Sequence, residues 1–267
     1  ALSSAASDVY KRQTVMKGLS SKTILEHHRL LHAMLQNAVY WQIIPYNPAD
    51  RVKPPKHQRP QIKYYDDIQC KQLLEALEHE EIKFQTIVIL TLFTGMRRGE
   101  VLGLEWSDID FDNGFVHITK ASQYTSEKGI FVKNPKTQSS IREVGIPDIV
   151  INMLKKYRTW YEAEKEKCGN LWINSNRLFV TWNGSPMHPD TVTDWFRSFI
   201  EKNNLPKITF HGLRHTNATL LISKNVDVAV VASRLGHAQI TTTLNFYVHP
   251  VQSHNKEAGQ VLEKLLV

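Results

Sequence analysis

His211-Gly212-Leu213-Arg214-His215-Thr216 leads into Ala218-Thr219-Leu220-Leu221-Ile222, a run whose apolar spacing predicts a helix over 211–223. His211 and Arg214 are three residues apart and share a helix face, while Leu213 and the apolar residues after it turn toward a core. One basic, hydrogen-bonding face is thereby expected to point outward. Taken alone, the same histidines would serve equally well as partners of buried polar groups. Downstream, Arg234-Leu235-Gly236-His237 closes a helix expected over 226–235, with glycine in the capping position. Tyr247 stands ten residues after His237, in a helix expected over 240–248. Upstream, Thr94-Gly95-Met96-Arg97-Arg98-Gly99-Glu100 sets a glycine turn between the apolar run Ile87–Phe93 and a new helix. Arg97 then sits at a helix start, where anions are favoured, and its planar fork can donate two parallel hydrogen bonds to a phosphate. An arginine paired with Glu100 to brace the helix end would give the same letters.

Between these clusters the period changes. Segments 115–119, 130–133 and 141–146 have the short β-rich character of strands, with polar turns at 125–129 and 136–140, and predict one small three-stranded antiparallel sheet. The rest reads as helix: 66–78, 83–94 and 98–104 before the sheet, and everything from Pro147 onward, at 148–165, 189–202, the three helices above and a last amphipathic one near 253–266. Nearer the start, one long amphipathic helix is expected over 20–49, with Ser21 as N-cap and Ile24, Leu30, Leu31, Met34, Leu35, Ala38 and Val39 as its apolar stripe. Ile43-Ile44-Pro45-Tyr46-Asn47-Pro48 breaks it, and a short helix or turn follows. His28 and His32 are four apart with no third ligand apparent, so they read as a solvated face and no metal is expected.

Residues 51–65 hold three prolines and five basic residues and almost no apolar pattern, which marks a linker. Extended, it spans about 50 Å, against roughly 12 Å for a major groove, so Lys53, Lys56, Arg59 and Lys63 could follow DNA phosphates. The expected division is a non-native leader over 1–13, a partial helical DNA-binding domain over 14–50, the linker, a catalytic domain over 66–250, and a C-terminal helix over 251–267. The leader is inferred from Asp8-Val9-Tyr10-Lys11-Arg12-Gln13, which resembles a translated sequencing adapter joined to a truncated gene.

Composition narrows the partners. The 267 residues carry 33 Lys and Arg against 26 Asp and Glu, a net charge of +7 that suits a polyanion. No apolar run approaches the roughly 20 residues needed to cross a bilayer. Neither a signal peptide nor a disulfide framework is evident, Cys70 and Cys168 being the only cysteines, which points to the cytoplasm.

The order TGxR, HxLRH, LGH and a tyrosine ten residues on, each at a helix boundary, resembles the tyrosine recombinase (phage integrase) family. Lys136-Thr137-Gln138-Ser139-Ser140-Ile141-Arg142-Glu143-Val144 resembles that family's KTxxSxRxV, which places a lysine at a β-turn. The likeness is close over 66–249 and looser over 19–55, which looks like the second half of the family's core-binding domain. It implies a mainly α catalytic fold with a small antiparallel sheet, acting on double-stranded DNA attachment sites.

By position, the resemblance makes Tyr247 the nucleophile, Arg97 and Arg214 the clamp on the phosphate, and Lys136 the general acid, with Lys133 as fallback. His211 and His237 complete the hydrogen-bonding shell. Glu100 and His215 give support, and Arg142 joins the linker residues as a DNA contact. No cofactor is implied, a tyrosine ester step needing neither ATP nor metal. A homotetramer on synapsed DNA is implied, its C-terminal helices docking in trans, with an excisionase or DNA-bending factor as further partner. The alternatives are strand relaxation of the type IB topoisomerase kind and a catalytically silent DNA-binding regulator.

Overall fold

The computed structural model describes residues 18–54, 63–133 and 140–246. The chain divides into two compact units, Ala1–Gln61 and Ile62–Val267. In the first, helix α1 (Ser21–Tyr40) starts from Ser20 rather than Ser21, because it is the Ser20 hydroxyl that accepts the Thr23 N–H at 3.1 Å. It also ends well short of the prolines. Gln42 adopts a left-handed φ of 58°, and Ile43 N–H turns back to Ala38 O at 2.9 Å, the closure that typically terminates a helix. Ile24 is buried, but Leu30, Leu31 and Met34 are exposed, so the apolar stripe is not covered along its length. A 3-10 turn, Pro48–Arg51, follows. It sets Asp50 Oδ1 at 2.7 Å from His32 Nε2, while the Asn47 amide donates to His32 O and Gln36 Oε1.

The second unit is organised around an apolar helix. After α2 (Asp67–Leu77), α3 (Ile82–Thr94) is buried on nearly every side, with Ile87, Val88 and Leu90 wholly inside. Burying each such side chain stabilises the fold by about 1.5–3 kcal/mol. Its threonines survive there because their hydroxyls donate one turn back, Thr86 to Ile82 O and Thr91 to Ile87 O, both at 2.7 Å. After it come α4 (Arg98–Gly103), α5 (Asp148–Cys168), α6 (Pro189–Lys202), α7 (Phe210–Ser223), α8 (Val228–Leu235) and α9 (Ile240–Phe246). Helices α5 and α7 pack against α3 directly. Among the described residues no helix is long and apolar enough to cross a membrane.

The β structure departs from the single sheet expected. Strands β1 (Ile109–Asp110), β2 (Phe115–Ile118) and β5 (Arg142–Gly145) form one antiparallel sheet in the order β1-β2-β5, with buried Val116 opposite buried Val144. Strand β4 (Gly129–Lys133) instead pairs with β3 (Ala121–Thr125) in a separate hairpin laid against α4. Ala-Ser-Gln-Tyr-Thr is poor in β-branched residues, and its pairing is set by the turn and by the helix beneath it.

Beyond a 3-10 turn at Gly169–Leu171, the stretch between α5 and α6 is not helical either. Leu178, Phe179 and Val180 run through the core, held by bridges Glu105–Arg177 and Val180–Pro186, and Tyr157 OH donates to Leu178 O at 3.0 Å. Tyr65, expected to end an exposed linker, is fully buried. Its N–H donates to Thr216 Oγ1 at 3.0 Å and its hydroxyl to Pro206 O at 2.6 Å.

Candidate active site

The C-terminal end of α3 is the floor of the site. A helix leaves its last carbonyls unpaired and carries partial negative charge there. Here side chains from two later helices gather them. Asn217 Nδ2 donates to Leu92 O at 2.8 Å, Arg234 Nη2 to Phe93 O at 2.7 Å, and Arg214 Nη1 to Gly95 O at 2.7 Å. Gly95, at φ 68°, lets the chain leave α3, and a Cβ there would stand 2.6 Å from Leu235 Cδ2. Arg214 is 3% exposed, so the outward face expected for the His211–Arg214 pair does not form. The arginine is drawn inward by carbonyls that no local pattern reveals.

Arg97 follows as the N-cap of α4. Glu100 closes a reciprocal cap, accepting Arg97 N–H on Oε2 at 2.9 Å and Arg97 Nη1 on Oε1 at 2.8 Å. The bracing role that the letters allowed is therefore real, yet the Arg97 side chain remains 41% exposed. Arg142, expected as a DNA contact, is 7% exposed and turned inward. Its Nη2 and Nη1 donate to Glu100 at 2.9 and 3.3 Å, and its Nε to Arg234 O at 2.7 Å. A buried guanidinium satisfied in this way supports its neighbours rather than reaching a phosphate. Burial alone would raise the Glu100 carboxyl, but Arg142 and Arg97 outweigh it and hold the group below its ordinary range.

Gly236 ends α8 at φ 67°, and the Arg142 guanidinium fills the space a side chain would occupy. His237 comes next, its Nε2 2.8 Å from Arg214 Nη2 and its Nδ1 2.8 Å from Thr243 Oγ1. Partial burial, then Arg214, Arg97 and Arg142, push its pKa down to about 4. His211 and His215 meet edge to face with centroids 4.9 Å apart. Burial and then His211 and Arg214 bring His215 to about 4, and solvent-reached His211 is also lowered, by desolvation, then Arg214 and Arg97. All three rings are neutral at pH 7, so among the described residues the positive charge at this place is carried by arginines, with one carboxylate, Glu100, among them.

Arg97, Glu100, Arg142, Arg214 and His237 thus form one neighbourhood, with His211 and His215 on the helix that carries Arg214. Tyr247, Lys136, Lys56 and Arg59 lie outside the described residues, as do the leader and the last helix. Lys53 and Lys63 are exposed, and fallback Lys133 is the exposed last residue of β4. Sequence reasoning missed Asn217, Arg234 and Thr243. Only Arg234, beside the glycine cap, carried any signal.

The phage integrase family profile matches residues 63–254. The chain belongs to the phage integrase family. A XerC-like tyrosine recombinase of Caldanaerobacter subterraneus subsp. tengcongensis is 30% identical over 97% of this chain and 70% of the relative. The ICEBs1 integrase of Bacillus subtilis is 28% identical over 96% and 69%. Among solved structures, the Tn1549 transposon integrase in complex with a circular intermediate DNA superposes with a TM-score of 0.84 at 25% identity, covering 98% of this chain and 84% of that one. This integrase is accordingly a tyrosine-type site-specific recombinase, a mainly helical protein with small antiparallel sheets.

Proposed function

We propose that this recombinase cuts and rejoins double-stranded DNA attachment sites through a 3′-phosphotyrosyl link to Tyr247. The observation that carries the reading is the meeting of Arg97, Arg214 and His237 at the end of α3, with α9 packed on α8 just after His237. Two arginines at one place suit the charge of a pentacoordinate phosphorus, and preorganised positive charge is the dominant contribution to phosphoryl transfer. Tyr247 oxygen attacks phosphorus and its phenolic proton passes to His211, neutral at pH 7 and able to accept it. The bond from phosphorus to the 5′-oxygen breaks, the electron pair leaves with that oxygen, and Lys136 protonates it. One phosphate ester replaces another, so a second 5′-hydroxyl can reverse the step on a different strand without ATP, and the arginines take the place of a metal ion. Rejoining to a different strand separates this activity from topoisomerase-like relaxation.

Glu100, His215 and, in revision of its expected role, Arg142 hold the clamp in place. Lys53, Lys56, Arg59 and Lys63 contact the DNA backbone. Residues 14–50 grip the duplex ahead of the catalytic domain, and 251–267 dock on a neighbouring protomer in a tetramer on cytoplasmic DNA, directed by an excisionase or bending factor. The test is incubation of the wild type and Tyr247→Phe with nicked attachment-site duplexes in EDTA without ATP, read by denaturing gel and mass spectrometry. A covalent band from the wild type alone, mapped to Tyr247, is expected. An adduct from Tyr247→Phe, or none at a site where binding is independently measured, overturns the reading.

A further inference from the structure

An arginine has donors and no acceptor. At 2.8 Å from Arg214 Nη2, His237 Nε2 must therefore be the accepting nitrogen, and the ring proton must sit on Nδ1. That nitrogen faces Thr243 Oγ1, also at 2.8 Å, so donation runs in one direction, from Arg214 to His237 to Thr243. Thr243 has no exposed surface and belongs to α9, which packs on α8. Between Thr243 and Tyr247 lie four residue steps, and that much chain spans at most about 14 Å even fully extended.

Resting on the recombinase reading above, we propose that Thr243 is a positioning residue. Its hydroxyl accepts the Nδ1 proton that Arg214 imposes on the His237 ring, holds that ring with Nε2 toward the arginine clamp, and by the same bond ties α9 to the clamp. The imidazole is the joint between the phosphate-binding guanidinium and α9, whose last residue precedes Tyr247 in the sequence. Nothing in the spelling Thr241-Thr242-Thr243 marks the third threonine as different from the other two. Thr241 is exposed, whereas Thr243 is buried against the histidine.

The variants are Thr243→Val, which keeps the shape and removes the acceptor, and Thr243→Ser, which keeps the hydroxyl. In the DNA-free protein, long-range 15N spectra of labelled histidine, with His237 assigned through His237→Asn, are expected to show the Nδ1-protonated tautomer in the wild type and Thr243→Ser. Thr243→Val is expected to keep that tautomer, held by Arg214, while its Nδ1 proton, no longer hydrogen-bonded, exchanges faster with water. On a nicked attachment site, adduct formation by Thr243→Val falls about tenfold or more, the scale of an unpaired buried donor, while DNA binding is unchanged and Thr243→Ser stays within about threefold of the wild type. A wild-type ring protonated on Nε2 overturns the proposal whether or not Thr243→Val folds. So does a folded Thr243→Val protein with wild-type exchange of the Nδ1 proton and wild-type rate. An Nδ1-protonated wild type that forms no adduct at a bound site leaves the tautomer assignment standing and strikes instead at the covalent chemistry.

Discussion

Replacing Glu100 by alanine removes the one carboxylate, among the described residues, that faces Arg97 and Arg142 together. Its side chain is 8% exposed and accepts Arg97 N–H, Arg97 Nη1 and both terminal nitrogens of Arg142. Arg97, 41% exposed, can turn to water and adds little to the loss. Arg142, 7% exposed, cannot, and a buried charge stripped of its partner costs about 3–5 kcal/mol. For a unit of the size of Ile62–Val267 each kcal/mol moves the melting temperature by about 2–4 °C, so Glu100→Ala should melt about 10 °C lower. Urea unfolding at pH 7 measures the free energy directly. Adding Arg142→Met removes the orphaned charge, and the double variant should recover about 1–3 kcal/mol of the loss. Acid gives an independent check. The Glu100 carboxyl titrates below its unfolded value of 4.5, so its contribution is whole above that pH and lost as pH falls through the lower folded value. Glu100→Gln should lack this acid-dependent loss. A Glu100→Ala protein within about 1 kcal/mol of the wild type, or a double variant whose loss equals the sum of the single losses, would refute the reasoning.

Gly236→Ala should lose about 1–3 kcal/mol, since φ is 67° and the new methyl would stand 2.8 Å from Arg142 Nη1. An unchanged urea midpoint would show that the cap and the arginine can both yield without cost. His215 and His237 titrate near 4 in the fold against 6.5 unfolded, so the stability they contribute is whole above pH 6.5 and is lost as pH falls from 6.5 to 4. At about 1.36 kcal/mol per unit the ceiling is about 3 kcal/mol for each ring, less where solvent screens it. Urea midpoints flat between pH 7 and 4.5 would contradict this.

The sequence by itself determined the helical course of the catalytic unit, because apolar spacing and caps act within a turn or two of chain. The ends of α3, α6 and α7 fall within a residue of expectation, and the glycines after α3 and α8 stop their helices as read. The order of TGxR, HxLRH and LGH, through its resemblance to the family, also pointed to Arg97, His211, Arg214 and His237 as one set, which their separate local signatures left open. Tertiary structure decided what each does. Arg97, Arg142 and Arg214 are one letter, yet one stays half exposed, one is buried against Glu100 and one is drawn to Gly95 O, 119 residues away in the chain. The same holds for β4, whose apolar residues fitted either sheet until the α4 surface chose the hairpin, and for Thr243, identical in spelling to the two threonines before it. Helix formation is a property of neighbours in sequence, whereas the burial and pairing of a charge, a strand edge or a hydroxyl depend on which distant elements close over it.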